Sequence, residues 1–336
     1  MQSIDATSTR PESWAWHLLG FILPAAIVYA NIVGGSIVVI GFVLALGIYP
    51  IIDLISKEAA PDRSLPQNKL AWNAIAVGHS VAQLAVIVTL LWRASQDGNV
   101  WTTWAAAIST GMTSGASGII TAHELGHRKK GSTLWWLARF NLFSVMYLHF
   151  TTEHNHGHHR NYATELDPVS APKGRGLWIH MAQAIPRQLP SAWKVHSKKG
   201  KSFYKNPIFL GLLLQIMFVV GLWISFGQWV TLAFLLQAAV AIILLEYVNY
   251  IQHYGLTREV GERHTMMHSW ESRSLWSRWT LLELTLHPAH HLKASDPLWA
   301  LEGYEGSPQM PVGYYGLFWP CVIPPLWRRL MDHRIP

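Results

Sequence analysis

Of the 18 histidines in the 336-residue chain, nine stand at spacings that can grip metal. HELGH places His123 and His127 at i, i+4, on one face of a helix. TTEHNHGHHRNYATELDP supplies His154 and His158 at the same spacing, with His159 adjacent. NYIQHYGL supplies His253, and LTLHPAHHL supplies His287 and His290 at i, i+3, with His291 adjacent. A histidine standing alone is more often a hydrogen-bonded core group or a surface residue. His17, His79, His149, His180, His196, His264 and His333 are read that way, as is His156, which lies off the cluster spacing. Two HH pairs, each preceded by a histidine one turn earlier, resist that explanation, because every buried imidazole left without a partner costs roughly 1–3 kcal/mol. A bound metal removes the cost.

H-E-x-x-H is also the pattern of a zinc metalloprotease helix. Such a site takes three protein ligands and one open position, and nine imidazoles are too many for it. They suit two ions with four or five ligands each. All-imidazole coordination fits iron, zinc, copper or nickel. Dinuclear zinc hydrolases normally carry bridging carboxylates, and none is placed among these boxes. Two irons facing a membrane-buried substrate are the better fit. Glu124 is then expected to accept the N–H of a ligand imidazole or to lie near a metal-bound water. Glu153, Asp167, His268 and Glu283 are expected around the site as supporting groups, not as ligands.

The elements that must position these residues are spans. Half the chain is apolar, 13 % is charged, and tryptophan alone occurs 18 times. A soluble chain of this length needs more charge to cover its surface, so the fold class is all-α and polytopic in a membrane. One cysteine, Cys321, excludes intramolecular disulfides and Cys-based zinc or iron–sulfur sites built by this chain alone. The opening MQSIDATSTRPES lacks the pattern of a cleavable signal peptide. A net charge of +7 would suggest nucleic acid in a soluble protein. No RNA- or DNA-binding module is present, and basic residues gathered on a cytoplasmic face account for the charge.

Six apolar stretches approach or reach the length needed to cross about 30 Å of hydrocarbon. They run over about 14–32, 36–55, 70–92, 101–125, 207–226 and 229–251. The fourth is rich in Gly, Ala, Ser and Thr, which lets helices approach closely, and is expected at the centre. The segment 134–150 is expected as a buried or interfacial helix. Of 26 Lys and Arg, 13 lie in 128–205 and 8 after Ile251. The positive-inside rule then sets both termini and the histidine clusters on the cytoplasmic side of a bacterial-type inner membrane. A single domain follows, with a bundle over about 14–125 and 207–251 and a cytoplasmic cap over about 126–206 and 252–336.

HELGH, EHNHGHH, NYIQHYGL and HPAHH, in this order between spans, resemble the integral-membrane di-iron alkane 1-monooxygenases. They are similar also to the related xylene monooxygenase hydroxylase subunits, within the fatty acid desaturase-like superfamily. The likeness extends to HSW at 268–270, QMPVGYYG at 309–316 and the tail PPLWRRLMD. It implies that His123, His127, His154, His158, His159, His253, His287, His290 and His291 hold two irons, with O₂ as co-substrate. It implies hydroxylation of a terminal or methyl carbon of a hydrophobic hydrocarbon to a primary alcohol. Two departures stand out: Gln252 replaces an acidic residue before His253, and Pro288-Ala289 replace a polar pair. His268 matches a further family position and is assigned outside the ligand set. The chain carries no flavin, dinucleotide, haem or iron–sulfur motif, so electrons must come from a separate rubredoxin or ferredoxin-type reductase. The basic stretch KVHSKKGKSFYK (194–205) is a docking place for an acidic donor or for anionic lipid headgroups. Competing readings are a fatty-acyl desaturase or hydroxylase with the same boxes, the membrane zinc protease, and a non-catalytic metal-binding transporter.

Overall fold

A computed structural model describes residues 12–63, 67–197 and 202–336. Among these residues the fold is helical, with isolated β-bridges (Glu58 with Ser274, Glu271 with Gln309) and no strand. Four helices are long and apolar enough to cross a membrane: α1 (Trp14–Val33), α2 (Gly35–Ile55), α3 (Lys69–Asp97) and a last one, Pro207–His253. The chain is a multi-pass membrane protein. The α1–α2 corner turns at Gly34 and Gly35, both at positive φ (77° and 67°), where a side chain would be strained. α3 begins on an Asn68 cap, whose Oδ1 accepts from the Ala71 amide (3.1 Å), and outlasts its expected end by five residues.

α4 is a continuous run of three pieces, Trp101–Thr113, Ser114–Ile119 and Ile120–Gly126, the middle one a π-turn. Its glycines set how closely it packs. A Cβ at Gly111 would meet Val240 at 2.5 Å, and one at Gly115 would meet Leu244 at 2.8 Å. Small residues thus seat α4 against the helix that ends at His253, as expected for a central helix. Polar side chains also tie α4 to its neighbours. Gln83 Nε2 donates to Ser114 Oγ (3.1 Å) and Ser144 Oγ (2.8 Å), and Ser114 Oγ donates to Gln237 Oε1 (2.8 Å).

α5 (Thr133–Ser144) is the expected short helix. It buries Asn141, which donates to Ser80 Oγ (3.1 Å), and exposes Trp136. α6 starts at Phe150–Glu153 and continues through the π-turn His154–His158 into His159–Asn161. α7 (Leu177–Ser197) lies amphipathically over the site, burying His180, Gln188 and Ala192. α8 (Pro207–His253) is two arms broken at Gly227 (φ 81°). The ring centroids of Phe218 and Phe234 are 5.3 Å apart, whereas sixteen residues of straight helix would separate them by about 24 Å. The chain therefore reverses there, as the expected tight hairpin requires. Short helix α9 (Leu275–Thr280) precedes α10 (His287–Leu292), which carries the last three of the clustered histidines.

Two buried carboxylates clamp the N-terminal spans to the C-terminal segment. Asp53 of α2 accepts from Ser274, from Ser277 Oγ (2.9 Å) and from the Gly316 amide (3.0 Å). Glu283 is gripped bidentately by Arg278 (2.8 and 2.9 Å) and faces His17 (3.0 Å) and Arg63 (3.3 Å). Burial would raise the Glu283 carboxyl, but Arg278 holds it below the ordinary carboxylate range. Glu283 touches none of the nine clustered imidazoles, so its expected place beside the metal site is corrected to this ion network. Arg278 and Glu283 are both fully buried. Replacing Arg278 with methionine strands that charge and is expected to cost about 3–5 kcal/mol, measured as a lowered melting temperature of the detergent-solubilised protein.

Candidate metal centre

The nine histidines converge, and they sort into two groups. Ring nitrogens of His123, His127, His154 and His290 lie within 4.8 Å of one another, as do those of His158, His253, His287 and His291. Each group has the donors to hold a metal ion. His159 stands at the boundary, its Nε2 3.0 Å from the Nε2 atoms of both His154 and His290 and its ring 4.6 Å from that of His291.

His154 and His158 are i, i+4 in a π-turn and their rings stack 5.4 Å apart, yet each belongs to a different group, so the face they share borders both. α10 divides its ligands too: His287 and His291 share one group, and His290 faces the other. α4 ends on His123 and His127 and α8 on His253, so one end of the bundle meets the helices laid across it.

The nitrogens face one another as no hydrogen-bonded set does. His154, His159 and His290 present three Nε2 atoms within 3.0–3.4 Å, and His287 Nε2 lies 3.1 Å from His253 Nε2 and 2.8 Å from His291 Nε2. A neutral imidazole has one donor and one acceptor, so three converging Nε2 atoms leave lone pairs facing lone pairs. With metal–imidazole distances of about 2.1 Å, nitrogens on one ion stand about 3.0 Å apart at right angles and about 3.4 Å apart tetrahedrally. The buried Nε2 atoms of His123 and His127 have no hydrogen-bond partner. Spacing, orphaned nitrogens and an all-imidazole donor set fit two first-row ions.

Burial and neighbouring imidazoles hold His154, His159, His287, His290 and His291 well below the ordinary histidine range. They are neutral at pH 7, the form a metal needs. Below about pH 6.5 the unfolded chain binds protons that the folded site does not. Stability and metal retention are therefore full above that pH and decline as pH falls through it. Metal content and melting temperature followed from pH 7.5 to 5 should drop together; full retention at pH 5 contradicts this.

The supporting groups are distributed differently from expectation. Asp167 Oδ2 lies 3.0 Å from His158 Nδ1, where it orients the ring. Burial would raise this carboxyl, but the adjoining His158 lowers it. Glu124 contacts no ligand ring: it accepts from Arg128 Nη2 (2.6 Å) and the Leu298 amide (3.3 Å). Being held in this ion pair, it is not poised as the general base of a zinc protease. Glu153 is buried and accepts from Ser191 Oγ (3.3 Å). His268 acts through its backbone: its carbonyl faces His253 Nδ1 at 3.3 Å, while its own Nδ1 accepts from the Thr265 amide. Gln252 donates to Tyr314 Oη (3.0 Å) instead of serving an imidazole. Of the lone histidines, His17 and His79 are partnered, by Glu283 and by Ser117 (2.7 Å), whereas His149 and His180, against expectation, are buried with both ring nitrogens lacking a hydrogen bond.

An apolar chamber is lined in part by His123, His154 and His287. α4 contributes a stripe at helical spacing: Met112, Gly115, Ala116, Ile119, Ile120 and His123. Further lining comes from Ala45 and Leu46 of α2, from Leu244, Leu245, Tyr247 and Asn249 among others of α8, and from Phe150, Leu281, Leu284, Tyr314, Tyr315 and Phe318. None of the lining residues comes from α3. Sequence reading missed Glu246, Asn249 and Gln188, although a carboxylate within the apolar run AIILLEYVNY was a legible signal.

Comparison with known proteins agrees with this geometry. Residues 99–304 match the family model described as fatty acid desaturase. Alkane 1-monooxygenase 1 of Pseudomonas aeruginosa is 33 % identical over 96 % of this chain and 90 % of its own length. Alkane 1-monooxygenase 1 of Alcanivorax borkumensis is 32 % identical over 75 % of this chain and 64 % of its own. The xylene/toluene monooxygenase hydroxylase component of Pseudomonas putida is 27 % identical over 67 % and 62 %. The class is thus a helical membrane protein of the desaturase type with a histidine-rich metal centre. Within it, the chain belongs to the alkane 1-monooxygenase family, whose members are non-haem iron monooxygenases.

Proposed function

We propose that this chain is a di-iron hydroxylase converting the terminal carbon of an alkane, or the methyl carbon of a related hydrocarbon, to a primary alcohol. The observation that carries the reading is the pair of all-imidazole groups, from which His123, His154 and His287 line an apolar chamber. His123, His127, His154 and His290, joined by His159, would hold one iron, and His158, His253, His287 and His291 the other. Bound iron supplies the reductive activation of O₂, one atom entering the product and the other leaving as water. The protein supplies placement. Ala116, Ile119, Leu245 and Phe318 bind the chain by contact alone, so its end, rather than a polar group, is what reaches the imidazoles. Asp167 keeps the Nδ1 proton of His158 fixed and its Nε2 turned inward.

The matching membrane arrangement has six spans, α8 counting twice, in a bacterial-type inner membrane with both termini cytoplasmic. The bundle spans about 14–125 and 207–251, under a cap of about 126–206 and 252–336. Electrons come from a separate rubredoxin or ferredoxin-type reductase. A wide groove lined by Arg160, Arg187, Lys194 and Arg258 beside His156 and Gly157 suits an acidic donor. Lys198, Lys199 and Lys201 of the expected docking stretch lie outside the described residues.

The test is conversion of alkanes, alkyl aromatics and fatty acids by cells co-expressing a donor system, with metal analysis of the purified protein. Primary alcohols and about two irons per chain are expected. Alkene products would indicate a desaturase, and zinc alone would overturn the oxygenase reading.

A further inference from the structure

Glu246 is a fully buried carboxylate in α8, seven residues before His253, and it touches neither histidine group. Its Oε1 accepts from Gln188 Nε2 (2.6 Å) and Asn249 Nδ2 (3.4 Å). Among the described residues no cation pairs with it; the nearby ionisable groups are Tyr147, Glu153 and Asp167, with His180 against Tyr250 one turn further on. Glu246 Oε2, Gln188 Oε1 and Tyr147 Oη are all buried without a hydrogen-bond partner. Three such atoms in one neighbourhood mark a place for ordered water, because each would otherwise cost roughly 1–3 kcal/mol.

The position of this carboxylate is what gives it a role. Gln188 and Ser191 share a face of α7 one turn apart, and Ser191 lines the cytoplasmic groove. On the other side Asn249 lines the apolar chamber that His123, His154 and His287 also line. Glu246 thus stands between an aqueous groove and a chamber whose wall is otherwise mostly apolar. The other amide on that wall, Gln252, is committed to Tyr314. Resting on the hydroxylase reading, the reaction RH + O₂ + 2e⁻ + 2H⁺ → ROH + H₂O needs two protons, both of which end in the departing water. The electrons are the donor's; the protons must enter through the protein.

We propose that Glu246 passes those protons from the cytoplasmic groove to the oxygen-reducing end of the chamber, through water held by Gln188 and Ser191 outside and Asn249 inside. At each passage the carboxyl O–H bond breaks toward the chamber, and the carboxylate takes a replacement proton from groove water.

The test uses the full chain in membranes with its iron and a donor system. E246Q keeps the shape but carries no proton, and it is expected to slow alcohol formation about 100-fold with iron content unchanged. E246D restores most of the rate. Q188L, which leaves the carboxyl and loosens its outer link, slows the reaction several-fold and enlarges the solvent deuterium effect. Wild-type rates in E246Q overturn the relay alone. Equal loss in E246Q and E246D accompanied by lost iron also overturns it, in favour of a structural role. Should neither Glu246 variant fold, an unchanged rate and isotope effect in Q188L overturn it, and a larger isotope effect sustains it. A wild type that makes no alcohol overturns the functional reading and the relay together.

Discussion

Alanine in place of His287 should leave the chain with about one iron instead of two and cut hydroxylation at least about 1000-fold, a barrier increase of roughly 4 kcal/mol. His287 is buried and faces both His253 (3.1 Å) and His291 (2.8 Å), so its loss opens the second group and spares the first. His123→Ala should do the reverse. Groups that only orient a ligand are typically worth 10–100-fold, which sets the expectation for Asp167→Asn below that for either ligand. His333 is exposed and bonds only the Arg329 carbonyl, and its alanine variant should keep full metal and rate. Metal analysis beside initial rates checks the series. Equal metal loss in His287→Ala and His333→Ala would refute the assignment.

Filling the chamber should separate substrate access from metal binding. Ala116 lies on the α4 stripe that leads to His123, two turns away. Tryptophan there occupies the space a hydrocarbon would take, without touching a ligand. Alcohol formation from long substrates is expected to fall about 100-fold, the scale of a misplaced reacting atom, while iron content stays constant. Shorter substrates should lose less. Rates unchanged across chain lengths would show that the substrate reaches the site by another way.

Much of this protein was legible before any fold was known. Hydropathy marks α1–α3 and both arms of α8 because a span needs only a local run of apolar residues. The nine clustered histidines stand out by local spacing, and the likeness of their boxes to a known family indicates the chemistry. What spacing could not say is which histidine joins which group. His154 meets His290 across 136 residues and His253 meets His287 across 34, so helix packing alone decides the partition. The rings of His154 and His158 stay stacked 5.4 Å apart on one face, and the segments packed around them, not their spacing, send each to its own group. Carboxylates were the least predictable. Asp167 reaches a ligand, Glu124 pairs with Arg128, and Glu283 is drawn into a network with Arg278 and His17. A carboxylate takes whichever donor the fold brings within about 3 Å. The donor is one helical turn away for Glu124 (Arg128), five residues away for Glu283 (Arg278) and nine for Asp167 (His158), while His17 reaches Glu283 from 266 residues off. The sequence thus offers each carboxylate several candidates, and the packing of the backbone decides which one is in reach.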